Sequence, residues 1–325
     1  MIENRTLQDN SDTRPKWFNS PVSFYEGTLT NIVEYIPEFE RRSFSLRQAN
    51  NQHTRINERF DTIVRRPFRD DSSLVPVGIV SKEYVLVPHT EVLNVATKAI
   101  QSADIDKADV RAELKITEYG ERMALSLYLP ERYSFDPGDG YPLSLRLECF
   151  NSVDGSTRFR TLMGWFRLVC SNGLIIGVTQ SDLRRRHVGN IRIQDIGTVL
   201  TSGIQESDKE KSNFERWRKH VVRRDRLNLW IQEKLRKEWG FKAAARLNHI
   251  SRTGYDADVL GPYKNNTPLT IPTRQSKRVP GAPNQSGNLY DVSQILAWIA
   301  KERRDLQEQL KWREKISGLI EPLLS

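Results

Sequence analysis

DVRAELKITEYGERMALSLYL, residues 109–129, decides the fold. Val110, Ala112, Leu114 and Ile116 alternate with Arg111, Glu113 and Lys115, the period of two expected of a strand with one buried face. Glu118, Tyr119, Gly120 and Glu121 supply a turn. Met123, Leu125, Leu127 and Leu129 then resume the alternation, so the stretch predicts a β-hairpin. Toward the C-terminus, a loop rich in Pro, Gly and Asp from Pro130 to Tyr141 leads into a third alternating strand through Leu143, Leu145, Leu147 and Cys149. Asp154-Gly155 provides turn chemistry with φ > 0. A fourth strand follows from about Arg158 to Cys170, closed by Ser171-Asn172-Gly173 before LIIGV at 174–178. The result is a central antiparallel β-meander with flanking helices, an α+β fold with a helical C-terminal part.

Toward the N-terminus, LVPVGIVSKEYVLVPH at 74–89 reads as strand, turn, strand. Val92, Val95, Ala96, Ala99 and Ile100 then recur at helical spacing, with Thr90 in place to cap. Residues 1–63 form an N-terminal arm and a segment without a clear period, and 64–182 form the β-rich core. In the basic helical region, 183–250, Phe214, Trp217, Val221, Leu227, Ile231, Leu235 and Trp239 approximate one apolar stripe that drifts between Val221 and Leu227. Residues 251–288 are a Pro/Gly/Asn-rich loop. In 289–325 a C-terminal helix with Asp291 near its start carries Val292, Ile295, Leu296, Ile299, Leu306 and Leu310 on one face, to pack on the core or on a partner.

Composition narrows the functional classes. The 325 residues contain no apolar run near the roughly 18–20 needed to span a bilayer, and the polar N-terminus lacks a secretory pattern. A cytoplasmic protein without membrane contact is expected. Two cysteines, Cys149 and Cys170, give neither a disulfide framework nor zinc-ligand spacing. Phosphate-binding glycine loops, dinucleotide fingerprints and the common hydrolase and zinc motifs are absent, so no catalytic residue, metal or cofactor is expected. Cys170 with His187 as base would make a nucleophile, but its place in the alternation reads as core. The oxygen donors of Asn151, Asp154 and Gly155 suit a divalent cation, yet plain turn chemistry accounts for them. His187 fits a turn, and His89, following Pro88, fits a backbone hydrogen bond at the start of a helix.

Charge is the strongest functional signal. Of 50 Lys and Arg, 18 lie between Asp182 and Arg252 against 9 of the 41 acidic residues, so the remainder balances at 32 of each and the net charge of +9 belongs to this tract. Arg184, Arg185, Arg186, Arg216, Arg218, Lys219, Arg223, Arg224, Arg226, Lys234, Arg236 and Lys237 are the candidate phosphate-binding residues. Trp217, Trp230 and Trp239 lie among them, as stacking partners for unpaired bases or as core. The alternative for the tract is a solvated helix face paired with Glu206, Glu210, Glu215 and Glu233.

Five segments carry a resemblance: VGIVSKEYVLVPHTEVL at 77–93, LECFNSVDGSTRFRTLMGWFRLVCSNGLIIG at 147–177, RRRHVGN at 184–190, GFKAAARLNHI at 240–250 and GNLYDVSQILAWIAKERRDLQEQL at 287–310. From about Val64 to Leu319 the chain resembles the phage- and plasmid-borne family filed as domain of unknown function 932. Its central motif falls on Asn151, Ser152, Asp154, Gly155, Arg167, Cys170, Asn172, Gly173 and His187. The resemblance implies a protein of a bacterial plasmid, phage or integrated element and transfers no catalytic activity. The expectation is a non-enzymatic nucleic-acid-binding protein, DNA before RNA, with single-stranded DNA binding in recombination or annealing as its narrower form. Two alternatives stand beside it. One is a protein-interaction module, a defence inhibitor or assembly subunit, with a homo-oligomer seam on the C-terminal helix near Trp298 and Trp312. The other is a metal-dependent nuclease using Asp136, Asp139 and Asp154.

Overall fold

The structure is a computed structural model that describes residues 16–45, 56–167, 174–185, 187–189, 191–264, 266–270 and 273–324, with backbone alone for 174–185, 273, 275 and 276. Its first half holds β1 (Lys16–Trp17), β2 (Ser20–Thr28), the short α1 (Leu29–Ile32), β3 (Phe39–Ser45), β4 (Ile56–Arg65), β5 (Val75–Ser81) and α2 (His89–Ser102). There follow β6 (Arg111–Thr117), β7 (Arg122–Tyr128), β8 (Ser134–Phe135), β9 (Leu143–Ser152), β10 (Phe159–Arg167) and β11 (Leu174–Arg185). The second half holds α3 (Ile196–Lys219), α4 (Arg224–Trp230), a π-helical turn over Ile231–Leu235, and α5 (Arg236–Thr253). It closes with β12 (Tyr255–Val259), β13 (Thr273–Arg278), α6 (Leu289–Lys301) and α7 (Leu306–Ile320).

The strands of the meander lie in an eight-stranded sheet of order β1-β2-β6-β7-β9-β10-β11, with β8 also pairing β9. The hairpin at its centre is the one that the alternation marks, in register from Arg111↔Tyr128 to Ile116↔Met123. A three-stranded sheet β3-β4-β5 and the pair β12-β13 complete the strands. The fold is α+β.

The chain divides into two compact units. The first comprises Met1–Tyr133, Leu145–Met163 and Gln180–Gln205, and the second Ser134–Ser144, Gly164–Thr179 and Glu206–Ser325. Neither unit is one continuous segment, whereas reading along the sequence divides the chain into consecutive stretches.

Several expectations shift. Residues 84–88 are not a second strand: only an isolated bridge, Tyr84↔Val188, forms there. α2 starts at His89 behind Pro88, not with Thr90 as its cap, because the proline already holds φ at −61° at the boundary. The N-terminal stretch without a clear period contains β1 to β3 and most of β4, and 251–288 contains β12 and β13. The strands are not buried on one face only: every residue of β9 and β10 is buried, polar ones included. Arg146 is ion-paired to Glu148 and donates to the Tyr128 hydroxyl at 2.9 Å, which lets charge sit on the second face.

In the second unit the drift in the apolar stripe is a real break. After α3, Val222 N donates to Gly287 O and Leu289 N donates to His220 O, so the segment between α3 and α4 pairs with a neighbouring strand-like stretch. That pairing turns Val221 outward, 73% exposed, and buries Val222 in its place. The C-terminal helix is likewise two, because the Asp305 carboxylate accepts from Gln307 N and Glu308 N and starts α7 anew.

Candidate nucleic-acid interface

Of the twelve basic residues singled out by charge, the fold commits several to its own architecture. Arg224 donates to Ser251 Oγ and Ser251 O, both at 3.0 Å, and burial, with Arg252 nearby, lowers its pKa. Arg226 donates to Pro322 O at 2.9 Å. Arg236 donates to Thr267 O at 3.2 Å and Lys264 O at 3.1 Å. Lys234 pairs with Glu238 at 3.7 Å and Arg223 with Asp225 at 3.5 Å. Arg218 lies against Gly138, where an added Cβ would come within 2.3 Å of its Nη1. Arg184 and Arg185 end β11, where only the backbone is described, and Arg186 lies outside the described residues.

The remaining three, Arg216, Lys219 and Lys237, are exposed, and among the described residues no ion pair or side-chain hydrogen bond holds them. Arg216 and Lys219 sit three residues apart in the last turn of α3, so they share one side of the helix. With His220 and Leu324 they line an open depression of about 360 Å³. The opposite wall is fixed from within the same unit. His220 Nε2–H donates to Leu323 O at 2.8 Å, and the Trp230 indole donates to Leu319 O at 3.1 Å. The last turn of α3 also exposes helix carbonyls, so part of the role of its cations is to complement that end of the helix. Two cations at a concavity, with no counter-ion among the described residues, have the chemistry to receive an anionic oxygen.

The tryptophans do not contribute stacking surfaces. Trp217, Trp230 and Trp239 are each buried, and Trp239 stacks on Trp312 with centroids 4.4 Å apart. Of the two readings that the sequence left open, core is the one that the structure shows. The stripe on the C-terminal helices is buried too: Val292, Ile295, Leu296, Ile299, Leu306 and Leu310 face the interior of this chain. Trp298 is buried with its indole donating to Asp256 Oδ2 at 2.8 Å.

The motif around 151–187 is structural in its visible contacts. Asn151 Nδ2 donates to Val87 O at 2.9 Å and to His89 Nδ1 at 2.8 Å, while His89 Nε2–H donates to Gly120 O at 2.8 Å. Asp154 pairs with Arg122 at 2.8 Å and accepts from Ser156 N and Oγ, and Gly155 takes φ 75° in the turn. His187 stacks on Tyr84, with centroids 5.1 Å apart, and Nδ1–H donates to Val85 O at 3.2 Å. Arg167 is fully buried, paired with Asp139 at 2.6 Å and with the Tyr290 hydroxyl. Cys170, Asn172 and Gly173 lie outside the described residues. The three carboxylates of the nuclease alternative each serve the chain around them, Asp154 and Asp139 through these ion pairs and Asp136 by accepting from Gly138 N. Among the described residues no cluster of three or more His, Cys, Asp or Glu is placed to hold a metal ion. Among the described residues, too, no helix is long and apolar enough to cross a membrane.

His220 and the C-terminal turn at Leu324 had no local signal in the sequence, because 104 positions separate them. Only the cationic half of the depression was visible.

A family model described as Domain of unknown function (DUF932) matches residues 76–258. UPF0380 protein YfjQ of Escherichia coli (strain K12) is 40% identical over 62 residues, which is 19% of this chain and 23% of that protein. The match thus spans less than a quarter of that relative. No solved structure matches the chain.

Proposed function

The chain belongs to the DUF932 family, whose model covers more than half of it, and since that family's description names no activity, we propose from this chain's own residues that it binds the phosphate backbone of nucleic acid. The observation that carries the reading is the pair Arg216 and Lys219, exposed at a depression without a counter-ion among the described residues. They stand in the tract that holds the whole net charge of the protein. Each phosphate that a cation neutralises releases a condensed counter-ion, so such a surface binds without regard to sequence and most strongly at low salt. DNA is the proposed partner, and the role is non-enzymatic binding in the cytoplasm of a bacterium that carries a plasmid, phage or integrated element. Strand handling in recombination or annealing is its narrower form. No catalytic group is needed, because charge alone provides the contact.

The test is charge reversal. Arg216→Glu with Lys219→Glu should weaken binding of labelled DNA, read by fluorescence anisotropy, by at least tenfold, with the melting temperature within a few degrees of the parent. Reversal of Arg224, whose guanidinium serves Ser251, should instead destabilise the fold. Unchanged affinity in the double variant would exclude this surface as the phosphate site.

A further inference from the structure

The three tryptophans of the basic tract are core, yet half-buried Phe241 of that tract meets an exposed ring, Tyr263, from the segment that follows. Gly240 kinks α5 with φ 83°, and a Cβ built there would meet nothing within 4 Å, so the kink faces open space. Phe241 follows. Its ring stacks on Tyr263 with centroids 4.8 Å apart and planes 30° from parallel, and Tyr263 is 44% exposed. The guanidinium of Arg236 lies over Phe241 at 4.9 Å while holding the carbonyls of Lys264 and Thr267, which fixes the loop that presents Tyr263. Lys237, Lys242 and Lys264 are exposed beside this stack in the sequence, with no ion pair among the described residues. The acidic residue of the stretch, Glu238, is already bound by Lys234 at 3.7 Å and Lys315 at 3.6 Å, so it does not cancel the three lysines.

A pre-formed ring stack extended by a guanidinium, with exposed lysines adjacent to it in the sequence, is the kind of arrangement that takes the face of an unpaired base while neutralising phosphates. A duplex offers no free base face. A protein partner would find no counter-charge for three lysines unless it were acidic. We infer that Phe241 and Tyr263 are a base-stacking platform for single-stranded nucleic acid. This rests on the nucleic-acid reading above and adds to it the strand form and the residues that select it.

The experiment compares three labelled probes of one length by anisotropy: oligo(dT), an abasic strand with the same phosphates, and a duplex. The parent protein should bind oligo(dT) about tenfold more tightly than the abasic strand. Tyr263→Ala should lose that preference and keep its affinity for the abasic strand and the duplex, while Tyr263→Phe should keep the preference. Should Tyr263→Ala melt early, Tyr263→Leu retains bulk on Phe241 without a ring face and carries the same expectation. Equal binding of oligo(dT) and the abasic strand by the parent overturns the platform and leaves the phosphate reading standing. A preference that survives Tyr263→Leu also overturns it. Failure of all three probes to bind overturns both.

Discussion

His89 is held neutral by its surroundings. The Asn151 amide spends both of its hydrogens, one on Val87 O and one on His89 Nδ1, so that ring nitrogen must present a lone pair, and the proton sits on Nε2 facing Gly120 O. Burial first, and His187 nearby, bring its pKa down to about 4, and burial lowers that of His187 as well. The unfolded chain takes up a proton near the ordinary 6.5, whereas the fold resists until about 4. The stability that His89 contributes is therefore complete above pH 6.5 and is lost as pH falls from 6.5 toward 4. The loss should be on the order of 2–3 kcal/mol between pH 7.5 and 4.5. Urea unfolding at those two pH values should show it, and His89→Gln should remove most of His89's part while leaving that of His187. An unchanged pH dependence in the variant would refute the assignment. The sequence showed His89 behind Pro88 and so a backbone bond at a helix start. It did not show Asn151, because 62 positions separate them along the chain and no local pattern joins them.

At the scale of elements, periodicity was legible where one strand meets the next by a tight turn. The 109–129 hairpin and the Asp154-Gly155 turn are found where alternation and turn residues place them. Periodicity failed where pairing is distant. Val221 continues the helical stripe on paper, but 220–222 bonds to 287–289, and the backbone partner outranks the side-chain pattern. Alternation likewise suggested a solvated polar face on β9, where the structure buries one. Glu148 shows what that requires. Its partner Arg146 has 2% of its side chain exposed, so removing the carboxylate strands a cation in the sheet. Glu148→Ala should cost about 3–5 kcal/mol in urea unfolding, whereas Arg223→Ala, at an exposed pair, should cost under about 1 kcal/mol. Comparable effects from the two would contradict the burial of that face. The break between α3 and α4 also shapes the candidate interface, since it ends α3 at Arg216 and Lys219 and directs His220 to the C-terminal turn.

For the whole molecule, net charge was fully legible and its use only half so. Counting located the surplus in one fifth of the sequence, but a count does not separate a guanidinium that holds a carbonyl from one that faces solvent. The fold makes that separation: Arg224, Arg226 and Arg236 fasten the second unit together, and Arg216, Lys219 and Lys237 are exposed with no ion pair or side-chain hydrogen bond among the described residues. The family match carries no activity with it, so the proposed binding rests on electrostatics. The measurement that tests it most directly is the affinity for labelled DNA between about 50 and 200 mM salt. Phosphate binding by this surface predicts that log K falls linearly with log salt, and that Arg216→Glu with Lys219→Glu makes the slope shallower by about two. Absence of binding at low salt, or an affinity that does not change with salt, would contradict it.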